Sequence, residues 1–242
     1  MMEYNLVRSR RKTLSLQIKS GKIYVRAPYH VDEQYIDSFI KKKKAWLKAK
    51  ISEQKQTVDL CCDFTQGSNL YLFGQLVTLN IVAADVNTRS NVTLRTLENG
   101  QQALTITLSQ RIQRNLHTPL QWAIAIKSQL ECYFAQQAEK IIPPKVSYYS
   151  TLTGLNPTLI KIRKYSARWG SCNSKGELSF NYLLMMLPLD VIDYVIVHEL
   201  CHLQHLNHSK DFWQLVTQYY PQQLAAKQWI KTHQSALHWQ MP

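Results

Sequence analysis

An apolar helix that carries three ionisable side chains in one turn constrains this chain more than any other feature. Residues 190–206 distribute Val191, Ile192, Val195, Ile196, Leu200 and Leu203 nearly all round a helical wheel, a pattern that predicts a buried helix. Within it stands His198-Glu199-Leu200-Cys201-His202, an H-E-x-x-H pattern. Histidines at i and i+4 lie one above the other on the same face, so both can reach one metal ion. Glu199 is rotated about 100° from His198, which directs its carboxylate beside such an ion, toward a bound water. It can then serve as a base without being a ligand. Three polar groups in one turn of a buried helix are costly without partners, and a metal supplies the missing partner. A catalytic zinc keeps three protein ligands and one open position, and lowers the pKa of bound water toward about 7.

A third ligand is therefore expected. No glutamate follows Glu199, so the downstream candidates are His205, His208, Asp211, His233 and His238. His205 lies seven positions after His198, about 10.5 Å along an unbroken helix, too far for both to reach one ion comfortably. His208 fits better: Asn207 tolerates the left-handed conformation that ends helices, so the chain can turn after Leu206 and bring His208 back over the metal. The spacing H-E-x-x-H-x5-H equals that of the metzincin zinc peptidases, with His205 in the place of their glycine. Phe212, Leu215, Val216 and Tyr219 read as a stripe of core packing. Cys172 and Cys201 read as structural thiols, Cys201 pointing away from the His198 and His202 face.

The rest of the chain is expected to be α+β. Thr13-Leu14-Ser15-Leu16-Gln17-Ile18 and Ile23-Tyr24-Val25-Arg26-Ala27 flank Ser20-Gly21 as a hairpin would. A single basic helix is expected from Asp32 to about Ile51, with Ile36, Phe39, Ile40 and Leu47 at helical spacing around the run Lys41-Lys42-Lys43-Lys44. Residues 52–69 read as a connector. Two further hairpins are predicted, around Gly74-Gln75 and around Asn99-Gly100. The first 115 residues thus read as an antiparallel, β-rich N-terminal region. A soft domain boundary near Thr118-Pro119 separates it from residues 116–242, where residues 120–142 form a long helix stopped by Pro143-Pro144. Residues 159–163 and 178–181 are short strand candidates.

Charge is unevenly placed. The formal net charge is +13, and residues 1–55 hold 14 of the 29 basic side chains but only 5 of the 16 acidic ones. Nucleic acid or a nucleotide is accordingly a possible partner of the basic N-terminal region, although a lysine run is more often a solvated helix face. The five cysteines form no C-x-x-C pair, which argues against a disulfide framework or a cysteine zinc knuckle. No secretory signal pattern opens the sequence and no run of about 18 apolar residues occurs. A cytoplasmic, soluble protein with no membrane partner is expected.

Arg168-Trp169-Gly170-Ser171-Cys172, Leu178-Ser179-Phe180-Asn181, Pro188, the stretch from Tyr194 through the H-E-x-x-H pattern to Leu203, Asn207-His208-Ser209 and Phe212-Trp213 closely resemble the YgjP-like family of zinc-dependent metallopeptidases, a group similar in its core to the SprT-like and WLM peptidases. Arg8-Ser9-Arg10-Arg11-Lys12-Thr13-Leu14 and Lys44-Ala45-Trp46-Leu47 extend the resemblance over nearly the whole chain. It implies a zincin-like C-terminal domain, zinc held by His198, His202 and His208, and Glu199 as the catalytic base acting on a peptide or protein substrate. In zincins an edge strand aligns the peptide, and residues 178–181 are the expected strand. Two other functions fit the same sequence: a metal-dependent nucleotide phosphohydrolase using the same site, and a peptidase acting on DNA-associated protein. No Gly-rich phosphate cradle or magnesium-type carboxylate cluster accompanies the former. Arg168, Tyr194, Tyr219, Tyr220 and His233 are candidates for stabilising a developing oxyanion. For Arg168 the alternative is a turn residue paired with a carboxylate or carbonyl.

Overall fold

The computed structural model describes residues 3–19, 22–58, 62–84, 88–97, 100–234, 236, 237 and 239. Ser20-Gly21, Asn99 and His238, on which sequence expectations fall, lie outside the described residues. The fold is mixed α+β, in two compact units comprising residues 1–60 and 61–242.

The first unit contains β1 (Tyr4–Ser9), β2 (Ser15–Lys19), β3 (Lys22–Pro28), α1 (Glu33–Lys42) and α2 (Lys44–Val58). Its sheet has the order β1-β3-β2, with β3 antiparallel to β2 as the hairpin signal predicts, and parallel to β1. Val25 stands opposite both Leu6 and Leu16, and packs with Ala27, Ile36, Ile40 and Leu47 into a small core. Asp32 caps α1 by accepting the Tyr35 N–H at 2.6 Å. The single expected helix is two, divided at Lys43. Residues 41 to 46 are all exposed, so nearly two turns have no packing to hold the helix straight. The expected connector likewise begins as helix, which continues to Val58.

The second unit opens with β4 (Asn69–Leu72), β5 (Gln75–Ala83), β6 (Asn91–Thr96) and β7 (Gln102–Leu108). Both predicted hairpins form, but the sheet order is β4-β5-β7-β6, and β5 runs parallel to β7. The sheet is therefore mixed rather than antiparallel. Turn residues specify neighbours in sequence, whereas burial decides which strand is central, and β7 buries Ala103, Leu104, Thr105, Ile106 and Leu108. The short α3 (Gln110–Gln113) leads to α4 (Pro119–Thr153). Leu72, Leu79 and Ile106 of the sheet share one core with Ile126, Leu130 and Phe134 of α4. That shared core places the division between units at residues 60 and 61 rather than near residue 115.

Helix α4 runs straight through Pro143 and Pro144 instead of stopping before them. The carbonyls that the two rings deprive of a donor belong to Glu139 and Lys140, both exposed and open to water. Meanwhile Phe134, Ala138, Ile142, Val146 and Ser150 continue a buried stripe at four-residue spacing across the prolines. Packing of that stripe outweighs the proline cost, and the helix ends at Gly154, which adopts φ 74° with its N–H bonded to the Ser150 carbonyl.

Next come β8 (Leu159–Arg163), β9 (Gly170–Cys172) and β10 (Glu177–Asn181), in the order β8-β10-β9. Residues 178–181 thus form the centre of this sheet, not the expected edge. The edge beside α5 is β9, three residues long. A 3-10 turn, Tyr182–Met186, then delivers the chain to α5 (Leu189–Cys201), which is followed by α6 (Lys210–Tyr219) and α7 (Gln223–His233). Backbone N–H groups of Phe73 and Gly74 donate to the carbonyls of Met185 and Met186 at 2.8 and 3.0 Å, pinning that turn to the β4–β5 hairpin. Lys145 of α4 pairs with Asp193 of α5 at 2.7 Å, and the Tyr220 hydroxyl donates to the Asp190 carbonyl at 2.7 Å. The start of α5 is held from three directions. No helix among the described residues is long and apolar enough to cross a membrane.

Candidate metal centre and cavity

Helix α5 buries Val191, Ile192, Val195, Ile196, Val197 and Leu200, and it carries His198 and Glu199 in its last turn. It ends at Cys201, with His202 as its C-cap, five residues before the end read from the sequence. The N–H of Leu203 returns to the Leu200 carbonyl, and those of Gln204 and His205 return to Cys201. The turn needs no left-handed Asn207: the non-glycine residues with positive φ among those described are Phe64 and Phe73. Ser209 then caps α6 by accepting the Phe212 N–H at 3.3 Å, which sets His208 immediately ahead of that helix.

This turn brings the three histidines together. One ring nitrogen from each lies within 4.8 Å of the other two, and His198 Nε2 is 3.1 Å from His208 Nε2. Two nitrogens at about 2.1 Å from a tetrahedral ion would stand ~3.4 Å apart, so the spacing fits a shared metal. His202 Nδ1 donates to the His205 carbonyl at 2.9 Å, leaving Nε2 with its lone pair. Burial, with smaller contributions from His202, His208 and Lys227, lowers the His198 pKa to about 3. Burial also lowers that of His208, with His202 and Lys227 adding to the shift. Both rings are thus biased toward the neutral form that ligates metal. His198 Nδ1 is buried without a hydrogen-bond partner among the described residues. Three neutral imidazoles converging on one point form a donor set suited to zinc.

Aromatic rings fix the cluster. Phe212 stacks on His202 at 4.5 Å and meets His198 and His208 edge-on, each at 4.9 Å, while Trp213 stacks on His208 at 5.4 Å. The sequence pattern alone marks Phe212 as plain core; its position four residues after the third histidine is the signal that sets it beside the cluster. Tyr194, one turn before His198 on α5, meets that ring edge-on at 5.8 Å. Burial, followed by the Glu199 charge, pushes its hydroxyl pKa up to about 12.

Glu199 is 6% exposed and packs against β9. A Cβ on Gly170 would lie 2.7 Å from Glu199 Cγ and 2.8 Å from Oε1, so the strand passes as close to the carboxyl as a backbone can. Burial raises the Glu199 pKa to about 8, against the opposing pull of the Arg168 guanidinium. Both residues line a cavity of about 780 Å³ together with the three histidines and Tyr194.

The other candidates stand apart from the cluster. His205 contributes its carbonyl rather than its ring. Asp211 is an exposed residue in the first turn of α6. His233 bonds to the Trp229 carbonyl at 2.8 Å and stacks on the Trp229 ring. The Arg168 guanidinium lies 5.7 Å from the centre of the Tyr165 ring, while its carbonyl accepts from the Asn181 amide at 3.1 Å. Cys172 lines the cavity, and Cys201 is buried with its thiol pKa pushed up to about 12 by that burial.

Comparison with known proteins places these observations. Among solved structures the chain is similar to the metallopeptidase zymogen of Pyrococcus abyssi, abylysin, with 20% identity over 41% of this chain and 97% of that one and a TM-score of 0.35. No curated protein matches it in sequence. A family model described as the YgjP-like metallopeptidase domain matches residues 12–233, nearly the full length. The chain belongs to the YgjP-like metallopeptidase family.

Proposed function

We propose that this protein is a zinc-dependent peptidase in which His198, His202 and His208 hold the metal and Glu199 is the general base. The observation that carries this reading is the convergence of three imidazole nitrogens within 4.8 Å in a cavity that also contains a buried carboxyl. When bound, zinc supplies Lewis acidity, which acidifies water and polarises a carbonyl. Glu199 takes the proton from the attacking water and passes it to the leaving amine. Its burial favours the protonated form up to about pH 8 unless a compensating cation is near, so base strength and metal occupancy are linked. β9, as the sheet edge beside Glu199, is the strand on which an extended peptide would align.

The cations Arg168, Lys227 and Lys231 in the cavity wall favour a second reading, hydrolysis of a nucleoside triphosphate at the same site. The exposed Lys41, Lys42, Lys43 and Lys44 of the first unit would suit contact with nucleic acid near a protein substrate. Zinc-loaded wild type and Glu199→Gln, incubated with mixed peptides and nucleoside triphosphates and followed by mass spectrometry, separate these readings. Peptide products that disappear in Glu199→Gln while metal content is kept are expected. Glu199-dependent nucleotide products without peptide products would replace the peptidase with the phosphohydrolase.

A further inference from the structure

One face of α7 borders the cavity with Lys227, Ile230, Lys231 and Gln234, the i, i+3, i+4 and i+7 positions of a helix. Arg168 adds a third cation from the segment before β9, and the acidic residue among the lining side chains is Glu199 alone. Among the described residues neither Lys227 nor Lys231 has a carboxylate within ion-pair distance. The two ammonium groups differ in their surroundings. Lys227 Nζ lies 3.2 Å from the centre of the Trp213 ring, and Trp213 stacks on His208, so this charge is fixed beside the histidine cluster. Lys231, one turn further on, is exposed.

Fixed positive charge close to a site that would hold a dication is electrostatically unfavourable unless an anion compensates it. Since the cavity has no spare carboxylate of its own, the anion must arrive with the ligand. Ile230, between the lysines, gives an apolar surface against which the methylenes of a glutamate could rest. We propose that Lys227 and Lys231 form a subsite for a carboxylate side chain of the substrate, so that peptides with Glu or Asp at one fixed position beside the scissile bond are preferred. This assignment rests on the peptidase reading of the site.

Binding to full-length, zinc-loaded Glu199→Gln tests it without turnover. Labelled short peptides carrying one Glu at successive positions are compared with isosteric Gln peptides by fluorescence anisotropy. Glu at one position should tighten binding about tenfold, the contribution of one charge-assisted hydrogen bond. Lys231→Glu in the same background should reverse the preference toward Lys, and circular dichroism confirms that this exposed substitution keeps the fold. Equal binding of Glu and Gln peptides overturns the subsite, as does a Glu advantage that survives both Lys231→Glu and Lys227→Gln. Wild-type cleavage of the same peptides is scored separately. Acid-selective binding without cleavage would retain the subsite and sink the peptidase, whereas cleavage without acid selectivity would do the reverse. Glu199-dependent hydrolysis of a nucleoside triphosphate that Lys231→Glu weakens, with no Glu preference among peptides, assigns the lysines to phosphate and overturns the carboxylate subsite.

Discussion

Gly170 and Glu199 are in such close contact that no side chain fits between them: a Cβ on Gly170 would fall within 2.9 Å of three atoms of the Glu199 carboxyl arm. The φ of Gly170 is not in the left-handed region, so the requirement for glycine is one of space. The carboxyl is thereby held against β9 rather than left to sample rotamers. A base displaced by about 1 Å can lose ~100-fold in rate. Gly170→Ala is therefore expected to lower kcat/KM on a cleaved peptide by about two orders of magnitude while zinc content stays near wild type, since the clash falls on Glu199 and not on the histidines. Rate and metal analysis on the same preparation check this. Unchanged kcat/KM would mean that the carboxyl arm can move without consequence.

The meeting of His198, His202 and His208 was legible in sequence because it is local. The H-E-x-x-H pattern places two rings on one helical face by geometry alone, and His208 follows from reach. What was not legible depends on packing between distant segments. The end of α5 at Cys201, the passage of α4 through Pro143-Pro144 and the central place of β10 are all settled by which surfaces become buried. β9 escaped notice because three residues, Gly170, Ser171 and Cys172, carry no strand periodicity; the paired glycine and glutamate became meaningful only once they met in space.

In the metal-free protein, stability should carry the signature of Glu199. Its folded pKa of about 8 lies above the usual 4.5, so the native state binds the proton more tightly than the unfolded chain between those values. Stability contributed by the neutral carboxyl is fully present below about pH 4.5 and is lost as pH rises toward 8. His198 works in the opposite direction. Its folded pKa of about 3 lies below 6.5, so stability is lost as pH falls through that window. The difference between wild type and Glu199→Gln isolates the first effect. Urea titrations with chelator present should find the variant more stable at pH 8, by an amount on the order of a few kcal/mol, and the gap should narrow steadily toward pH 5. A constant difference across that range would show that burial does not govern this carboxyl.

Pro144 is the exposed member of the proline pair, and its ring denies the Lys140 carbonyl a helical donor. Restoring that donor costs nothing in the core, because the buried stripe passes through Ile142 and Val146. Pro144→Ala is expected to stabilise the protein by roughly 1–3 kcal/mol, which for a chain of this size raises Tm by several degrees. Calorimetry decides the matter. A fall in Tm would indicate that the proline bends α4 into the shape its apolar face requires.

Gly74 closes the β4–β5 turn at φ 78°, and its missing side chain lets Pro188, the residue that caps α5, approach closely. A Cβ there would lie 2.4 Å from Pro188 Cγ and 3.0 Å from its Cα, and a proline ring offers no rotamer by which to withdraw. Gly100 provides the comparison, having the same φ of 78° but nothing within 4 Å of an added Cβ. Gly100→Ala should cost about 1 kcal/mol, the penalty of a left-handed alanine. Gly74→Ala carries that penalty and the clash together, so its loss should exceed that of Gly100→Ala by at least ~2 kcal/mol. Because the Phe73 and Gly74 N–H groups also hold the turn that leads into α5, the displacement should reach the histidine cluster at the other end of that helix. Zinc affinity measured by chelator competition should then fall in Gly74→Ala and remain at the wild-type value in Gly100→Ala. Equal losses of stability in the two variants would show that Pro188 yields and that the hairpin does not set the position of α5.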